Sequence, residues 1–276
     1  MTAVTQVRPP ESLTAESLSL TVQGAVILNS ISARFMPGEV TVVLGPNGAG
    51  KSTLLACLAG LRAADAGDVL IGGVSRAKID RRALARQIGF LPQSADVHWD
   101  IDVQTLVALG RFPHRGRWGE TAADHAAVAQ AMAATDVTRF AERRVNTLSG
   151  GERARLLLAR VLAGEPQWLL ADEPLANLDP AHQLDGLDCL RRVAAAGAGV
   201  VVVLHDLNHA ARVADQLLLL RNGHVIAHGP PESVLTEELI AKTYGVTSHI
   251  GTTPDGQRFI VPSARQTLSA ANTQIA

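Results

Sequence analysis

The sequence predicts an α/β fold with a mainly parallel sheet as its core, a small antiparallel β subdomain and an inserted helical subdomain. Two continuous apolar runs, Trp168 to Ala171 and Val200 to Leu204, are typical of central strands that are buried on both faces. Between them, Asp185 to Ala196 favours a helix, and strand–helix–strand order is typical of a parallel sheet. The helical subdomain is predicted at about residues 94–163, where the chain is rich in alanine and poor in β-branched runs.

The other strands are predicted from shorter patterns. Leu18 to Val22, Ala25 to Phe35 and Asp68 to Ile71 form the small antiparallel subdomain. Val40 to Leu44 and Ile88 to Leu91 are apolar runs of strand length that would join the core sheet.

Two hairpins are predicted in the C-terminal part of the chain. Leu217 to Leu220 and His224 to Ala227 flank Asn222-Gly223, a strong hairpin signal. A second hairpin is expected at His249 to Val261 around Asp255-Gly256. The domain organisation then follows: a disordered lead-in at residues 1–14, one domain at 15–246, and a hairpin and tail at 247–276.

The composition excludes several classes of protein. The 276 residues carry a net charge of −1 without a basic block, which argues against nucleic acid as a partner. The two cysteines, Cys57 and Cys189, make neither a disulfide framework nor a zinc site, so a reducing cytoplasm is expected. All apolar runs are far shorter than the roughly 20 residues that cross a bilayer.

A glycine-rich loop follows the strand that ends at Leu44 and has the sequence Gly45-Pro46-Asn47-Gly48-Ala49-Gly50-Lys51-Ser52. Thr53 and the residues after it favour a helix, so the loop has the strand–loop–helix context of the P-loop NTPase fold. Its backbone N–H groups can surround phosphates, Lys51 can reach the β- and γ-phosphates, and Ser52 can ligate Mg²⁺. The loop therefore predicts a nucleoside triphosphate site.

Two adjacent carboxylates follow the apolar strand Trp168 to Ala171. Asp172 is placed at the carboxyl end of that strand, where a metal can be held beside the phosphates. Glu173 follows directly, and a second carboxylate there suits activation of the attacking water. For Asp172-Glu173 alone a solvated strand end is an equal alternative, but the phosphate loop favours the catalytic interpretation.

A second glycine-containing loop, Leu148-Ser149-Gly150-Gly151-Glu152, opens a predicted helix through Arg155 and Arg160. Ser149 is a suitable N-cap, and the two glycines leave backbone N–H groups accessible to an anion. A simple turn would explain Ser-Gly-Gly alone, but the loop precedes the Asp172 strand by about twenty residues. We therefore predict a second phosphate-contacting loop.

These motifs together resemble the ATP-binding cassette (ABC) ATPases, and the resemblance extends from about Leu18 to Val246. The matching motifs are Gly45–Ser52, Gln93 after its strand, Leu148–Glu152, Asp172-Glu173-Pro174, Ala176-Asn177-Leu178-Asp179 and His205 after the next strand. The resemblance implies a homodimer in which two copies sandwich two ATP molecules head to tail.

The resemblance also assigns roles to individual residues. Glu173 would activate water, Lys51 would hold the phosphates and His205 would contact the γ-phosphate. Mg²⁺ would be held by Ser52, Gln93 and Asp172. The nucleotide would be bound by Gly45, Pro46, Asn47, Gly48, Ala49, Gly50, Lys51, Ser52, Thr53 and Gln93 of one copy, and by Ser149, Gly150, Gly151 and Asp179 of the other.

The chain departs from the family pattern at two positions. The family usually stacks adenine on an aromatic residue near the first strand, where this chain has Val22; Phe35 is the nearest aromatic. We therefore expect weak discrimination between bases, with GTP hydrolysed within a few-fold of ATP. Ala154 stands where many members carry glutamine, and a minor effect is expected.

The type of cassette protein is inferred from what the chain lacks and from one segment. The chain lacks the coiled coils and zinc cysteines of repair ATPases, and it lacks the two cassettes of translation factors. The soluble ATPase of iron–sulfur assembly stays an alternative. Val107 to Arg115 is similar to a stretch typical of importers for iron chelates, haem and vitamin B12, and Leu204 to Asn208 and Ala176 to Gln183 also resemble that subgroup.

This similarity implies an importer ATPase, with a ferric siderophore preferred over haem or cobalamin as cargo. Its partners would be integral-membrane permease subunits and, through them, a periplasmic or surface substrate-binding protein. The protein would lie peripherally at the cytoplasmic face of the inner membrane. A cationic patch with an apolar centre could seat a permease helix; its residues are Arg111, Phe112, Pro113, His114, Arg115 and Arg117. A solvated loop is the alternative interpretation.

The histidines outside these motifs do not suggest a metal site. His98, Trp99, His114 and His125 lie in the helical region, but their spacing matches no ligand set. His182 and His209 follow motifs on predicted helices and are expected at the surface.

Overall fold

The computed structural model describes residues 11–93, 100–116, 119–176 and 178–265. Its strands are β1 (Leu13–Val22), β2 (Ala25–Phe35), β3 (Val40–Leu44), β4 (Ala66–Ile71), β5 (Val74–Ser75), β6 (Ile88–Leu91), β7 (Trp168–Asp172), β8 (Gly199–Val203), β9 (Gln216–Arg221), β10 (His224–Gly229), β11 (Val246–Thr252) and β12 (Arg258–Arg265). Its α-helices are α1 (Lys51–Leu58), α2 (Arg81–Gln87), α3 (Val103–Ala108), α4 (Ala122–Ala134), α5 (Gly150–Leu162), α6 (Pro180–Ala195), α7 (Leu207–Val213), α8 (Pro231–Val234) and α9 (Glu237–Tyr244).

A six-stranded sheet in the order β10-β9-β3-β8-β7-β6 forms the core. Neighbouring strands from β9 to β6 pair in parallel, and β10 joins β9 as an antiparallel edge. Every residue of β3, β7 and β8 is buried, as their continuous apolar sequences predict. The predicted α/β class with a mainly parallel sheet is confirmed.

Successive residues of the core strands face two different layers. Val42 and Val202 belong to the hydrophobic cluster shared with helices α5 and α6. Val43 and Val203 belong to a second cluster, shared with α1 and the antiparallel sheet. Because side chains alternate along a strand, one apolar run can fill both layers.

The parallel register places the ends of three strands at one edge of the sheet. Asp172 pairs with Val203, and Val203 pairs with Val43, so β3, β7 and β8 end side by side. The phosphate loop, Glu173 and His205 follow these three strands. Ligands bind at this carboxyl edge in open α/β sheets.

The antiparallel subdomain is a four-stranded sheet in the order β2-β1-β4-β5. Strand β1 begins at Leu13, which is fully buried and pairs with both Phe35 and Ile71. Leu13 and Thr14, which the sequence assigned to the lead-in, therefore belong to this sheet. Residues 1–10 of the expected lead-in lie outside the described residues.

Helices α3, α4 and α5 lie between the core strands β6 and β7 in the sequence, and they pack on one another. The hairpin of β11 and β12 packs through β11 on α9 and through β12 on α7. The strands of this hairpin are longer than predicted. Helices α2, α8 and α9 were not predicted, since each spans eight residues or fewer and offers too short an apolar pattern.

Within the described ranges, no helix has both the length and the apolar character that crossing a membrane requires.

Candidate nucleotide-binding site

The phosphate loop between β3 and α1 is built on glycines that cannot be replaced. Gly45 has φ +152°, and a Cβ there would lie 2.1 Å from the carbonyl oxygen of Leu220. Gly50 has φ +97°, and a Cβ there would lie 2.7 Å from the carbonyl oxygen of Ile27. Both positions combine a left-handed backbone with close contact to a neighbouring strand, so only glycine fits.

The ammonium group of Lys51 is enclosed by the loop. Its Nζ donates to the carbonyl oxygens of Gly45 at 2.8 Å and Pro46 at 3.0 Å, and the residue is only 6 % exposed. Burial lowers the pKa of Lys51, while the nearby carboxylates of Glu173 and Asp172 oppose this shift. The loop therefore holds a positive charge at the point where its N–H groups would surround phosphates.

Asp172 ends strand β7 under the phosphate loop and is 5 % exposed. Burial raises the pKa of its carboxyl group, and the Ser52 hydroxyl and Lys51 oppose the rise. Its Oδ1 is buried and has no hydrogen-bond partner among the described residues. A buried carboxylate oxygen without a partner, beside a hydroxyl, suits a hard cation that prefers oxygen ligands, so Asp172 and Ser52 fit Mg²⁺.

Glu173 connects two further site residues. Its Oε1 lies 2.5 Å from Nε2 of His205, and its Oε2 accepts a hydrogen bond from Nε2 of Gln93 at 2.7 Å. Glu173 has φ +50°, and its N–H donates to the carbonyl of Val203 at 3.2 Å. A non-glycine residue in this strained conformation at a strand end turns the carboxylate toward the cleft above the sheet.

Lys51, Gln93, Glu173 and His205 line one cleft of about 590 Å³. Its lining consists of Ile27, Asn47, Gly48, Ala49, Gly50, Lys51, Ser52, Thr53, Gln93, Glu173 and His205. Ten of these eleven were predicted from the sequence, and Ile27 was not. No local signal marks Ile27, since it is one residue of strand β2 and approaches the loop only after folding.

The second loop does not line this cleft. Ser149 is the N-cap of α5: its Oγ accepts from the N–H of Glu152 at 3.3 Å, and its own N–H donates to Glu152 Oε2 at 2.8 Å. Ser149 and Gly150 are exposed, and a Cβ at Gly150 would meet no atom within 4 Å. The predicted N-cap is confirmed, and the helix N-terminus is accessible from outside the chain.

Asp179 also lies away from the cleft. Its carboxylate caps α6 by accepting from the N–H of His182 at 2.9 Å, and it pairs with His182 Nδ1 at 2.7 Å. These two interactions hold the pKa of Asp179 below its usual value. The neighbouring Asn177 of the same motif lies outside the described residues.

The side of the cleft expected to receive the base carries no aromatic residue among the described residues. Phe35 is fully buried and packs near His228, with 6.3 Å between ring centroids. It therefore cannot replace the aromatic residue missing at Val22, which is half-buried. Ile27 is the apolar side chain that lines the cleft.

The predicted cationic patch requires a correction, because Arg111 is only 6 % exposed. Its guanidinium donates to Asp124 at 2.8 Å, to Glu165 at 2.6 Å and to the carbonyl of Ala163 at 3.0 Å. It is a buried structural residue and not a surface cation. The centre of the patch, Phe112, is 70 % exposed.

Two arginines of α2 replace Arg111 beside Phe112. Arg82 and Arg86 each donate from Nε to the carbonyl oxygen of Pro113 at 2.8 Å. His114 bonds to the carbonyl of Gly164 at 2.9 Å, and Arg115 pairs with Glu120. Arg117, His98 and Trp99 lie outside the described residues.

The described part of the chain contains no group of three or more His, Cys, Asp or Glu side chains that could hold a metal ion. His125 lies 3.9 Å from Glu120. The expected surface residue His182 is half-buried by its pairing with Asp179.

The fold and the cleft define a P-loop nucleoside triphosphatase. The sequence model of the family described as "ABC transporter" matches residues 28–176, which include the phosphate loop, the Ser149 loop and the two carboxylates. The chain belongs to this family and is an ATPase. The family predicted from the motifs is therefore confirmed.

The relatives that the chain matches include ATP-binding proteins of three transport systems. It is 40 % identical to the ferric enterobactin transport ATP-binding protein FepC of Escherichia coli, over 95 % of this chain and 97 % of that protein. It is 41 % identical to the hemin import ATP-binding protein HmuV of Bordetella pertussis, over 87 % and 94 % of the two chains. It is also 41 % identical to the cobalamin import ATP-binding protein BtuD of Halobacterium salinarum, over 96 % and 67 %.

Solved structures with this fold include transporters and isolated cassettes. A transporter described as metal-chelate type, in an inward-facing conformation, has a TM-score of 0.79 and 26 % identity, over 94 % of this chain and 100 % of that one. A dimeric ATP-binding cassette in a post-hydrolysis state with ADP and phosphate has a TM-score of 0.72 and 26 % identity, over 79 % and 98 %.

Proposed function

We propose that this chain is the ATP-hydrolysing subunit of an ABC importer that energises uptake of a ferric siderophore. The observation that carries the proposal is the 40 % identity to a ferric enterobactin transport ATPase over nearly the full length of both chains. Haem and cobalamin import ATPases are about equally identical, so either cargo is the alternative. The cargo does not enter the ATPase, and no residue of the cleft is expected to distinguish the three.

We infer further that the working unit is a head-to-tail homodimer. The cleft is lined by residues that are predicted to bind the nucleotide from one copy. The residues predicted to bind it from the other copy lie outside the cleft; they are Ser149, Gly150, Gly151 and Asp179. In the proposed dimer the exposed N-terminus of α5 in one copy faces the phosphate loop of the other. Its free N–H groups would then bind the γ-phosphate.

Within one half-site, each side chain has a chemical role. Lys51 neutralises phosphate charge, and the carboxylate of Glu173 accepts a proton from the water that attacks the γ-phosphorus. His205 and Gln93 hold Glu173 through its two oxygens, so the carboxylate is oriented before the nucleotide arrives. The bond from phosphorus to the bridging oxygen breaks, leaving ADP and phosphate.

Mg²⁺, when bound by Ser52, Gln93 and Asp172, would supply charge neutralisation at the β- and γ-phosphates. Gln93 would then contact both the metal and Glu173. Because Gln93 precedes the helical segment in the sequence, Gln93 is the proposed link between the nucleotide state and the helices.

The permease is proposed to dock at Phe112 and the arginines beside it. Phe112 is exposed, and Arg82 and Arg86 surround the backbone of Pro113. An apolar centre with an arginine rim is a composition favoured at protein interfaces. Through the permease the protein would cooperate with a substrate-binding protein and stay peripheral at the cytoplasmic face of the membrane.

The proposal is tested by uptake in a strain that lacks this protein and any duplicate system. Ferric siderophore, haem and cobalamin are offered separately, and rescue is attempted with the wild type and with Glu173→Gln. We expect loss of ferric siderophore uptake, restored only by the wild type. Loss of haem or cobalamin uptake instead would identify that compound as the cargo. Unchanged uptake of all three would contradict the importer assignment.

Membrane fractionation separates the importer from a soluble ATPase of iron–sulfur assembly. An importer subunit should sediment with membranes only when its permease is co-expressed, whereas a soluble ATPase should stay in the supernatant in both cases. Phe112→Ser should reduce co-sedimentation, and the equally exposed Leu61→Ser is the matched control.

A further inference from the structure

Asn208 connects helix α7 to the C-terminal hairpin through two hydrogen bonds with one residue. Its Oδ1 accepts from the N–H of Ile260 at 2.7 Å, and its Nδ2 donates to the carbonyl of Ile260 at 3.4 Å. Ile260 is 2 % exposed. The amide of Asn208 therefore bonds Ile260 as a neighbouring strand would.

The geometry explains why an amide is needed at this position. In the hairpin, Ile260 lies opposite Ile250, and its N–H and carbonyl are turned to the edge of β12 that β11 does not cover. An edge residue presents one donor and one acceptor, and only Asn or Gln offers both in one plane. The apolar or purely accepting side chains of similar size cannot satisfy both groups.

The hairpin is itself fixed to the body of the protein. Arg258 Nη2 donates to the carbonyl of Leu235 at 2.8 Å, and Ile260 belongs to the large hydrophobic cluster of the core. The hairpin therefore offers α7 a stable attachment point. It lies outside the residues matched by the family model.

Helix α7 begins immediately after His205. Asp206 is its N-cap, and its Oδ1 accepts from the N–H groups of Asn208 at 2.7 Å and His209 at 2.9 Å. His205 is half-exposed, and its recorded polar partner is Glu173. The direction of the first turn of α7 therefore determines where the His205 ring lies relative to Glu173.

We propose that Asn208 is a positioning residue, which ties the first turn of α7 to the C-terminal hairpin and thereby places His205 for hydrolysis. The inference rests on the role given to His205 under the proposed function. Asn208 touches neither nucleotide nor water in this account and acts only through His205. Through the same contacts, the hairpin helps to hold His205 in its position for hydrolysis.

The test compares steady-state ATP hydrolysis of Asn208→Leu, Asn208→Asp and His205→Ala, together with the double variant Asn208→Leu/His205→Ala. Asn208→Leu, which lacks both bonds, should lower kcat about three- to tenfold and leave KM for ATP within twofold. Asn208→Asp keeps the shorter bond but sets a carboxylate oxygen against the carbonyl of Ile260, so its kcat should fall between those of Asn208→Leu and the wild type. In the His205→Ala background, measured with enzyme in excess over ATP, adding Asn208→Leu should change nothing further.

Ser263→Ala is the matched control, because it removes the bonds between Ser263 and Thr247 in the same hairpin and leaves both bonds between Asn208 and Ile260 in place. It should leave kcat unchanged. If His205→Ala is impaired but Asn208→Leu is not, or if the two effects multiply, the positioning role is overturned while the role of His205 stands. If His205→Ala turns over like the wild type, the role of His205 fails and this inference fails with it.

Discussion

At the scale of the residue, the cleft concentrates charges that burial alone would disfavour. The ammonium group of Lys51 and the carboxyl group of Asp172 both lose solvent, which lowers the pKa of Lys51 and raises that of Asp172. Each is partly compensated by the other, and phosphate oxygens and a divalent cation would complete the compensation. The site is thus arranged for a charged ligand before one binds.

Lys51→Ala should weaken nucleotide binding. The substitution removes a buried positive charge that would face the β- and γ-phosphates, and a hydrogen bond to a charged group contributes about 1.5 to 3 kcal/mol. We expect the Kd for ATP to rise about ten- to a hundredfold, measured by isothermal titration calorimetry. Lys78→Ala removes an exposed lysine as the control, and an unchanged Kd in Lys51→Ala would contradict the assignment of the loop.

Val22 provides a second prediction at this scale. Because the described cleft offers Ile27 but no aromatic ring for stacking, GTP should be hydrolysed within a few-fold of ATP. Val22→Tyr should lower the KM for ATP, since base–aromatic stacking contributes about 1 to 3 kcal/mol. Val22→Leu is the control without a ring. The preference is measured from the hydrolysis rates of ATP and GTP in competition with each other. A large preference for ATP in the wild type would contradict the prediction.

At the scale of the element, the ion pair of Arg111 and Asp124 joins α4 to the segment after α3. Asp124 is 5 % exposed and also belongs to the capping box of α4, where the N–H of Thr121 donates to it at 2.9 Å. The bonds from Arg111 and from Thr121 hold the pKa of Asp124 well below its usual range. A depressed carboxyl pKa means that the folded state favours the ionised form, so the pair stabilises the fold at neutral pH.

Asp124→Asn should lower the free energy of unfolding by about 2 to 4 kcal/mol at pH 7, because Arg111 would keep only Glu165 as a charged partner. The loss should be constant from pH 8 to pH 5. It should shrink as the pH falls below about 4, where the unfolded carboxyl of the wild type becomes protonated and the stabilisation is lost.

Denaturant unfolding at several pH values measures this difference. Asp136→Asn makes the same change in the exposed pair with Arg139, where the two charged atoms are 3.2 Å apart, and should cost less than about 1 kcal/mol. Equal losses in the two variants, or a loss at Asp124 that grows toward acid pH, would contradict the account.

The sequence predicts elements well where the information is local. The strands Val40 to Leu44 and Ile88 to Leu91 and the phosphate loop are found as predicted, because apolar runs and glycine positions act within a few residues. Arg111 was misplaced at the surface because its partners Asp124 and Glu165 are 13 and 54 residues away. Ile27 was missed for the same reason, since only the folded hairpin brings it to the loop.

At the scale of the whole molecule, the arrangement of the two halves of the site explains how ATP would drive a mechanical change. One chain places the phosphate loop and Glu173 in a cleft and turns the Ser149 loop outward. ATP bound between two copies would therefore favour the closed dimer over the open one. Moving a dimer from 1 % to 99 % closed needs about 10⁴-fold tighter binding to the closed state, roughly 5.5 kcal/mol.

Two triphosphates could supply this difference, since each would gain charge-assisted hydrogen bonds from the N-terminus of α5 in the other copy. In the proposed dimer, hydrolysis by water activated at Glu173 would remove the γ-phosphate and with it these bonds, so the dimer would open. The permease would follow the opening and closing through its docking surface.

The most direct test of this account is the mass in solution of Glu173→Gln with and without Mg²⁺ and ATP, measured by light scattering after size-exclusion chromatography. The variant should bind ATP, hardly hydrolyse it and have twice the mass of one chain only when ATP is present. Adding Ser149→Asp should return it to a monomer with ATP still bound, because aspartate caps α5 as well as serine but repels the γ-phosphate. Ser149→Asn caps the helix without the charge and should keep the dimer. A monomer in Glu173→Gln, or a dimer that Ser149→Asp does not weaken, would contradict the shared site.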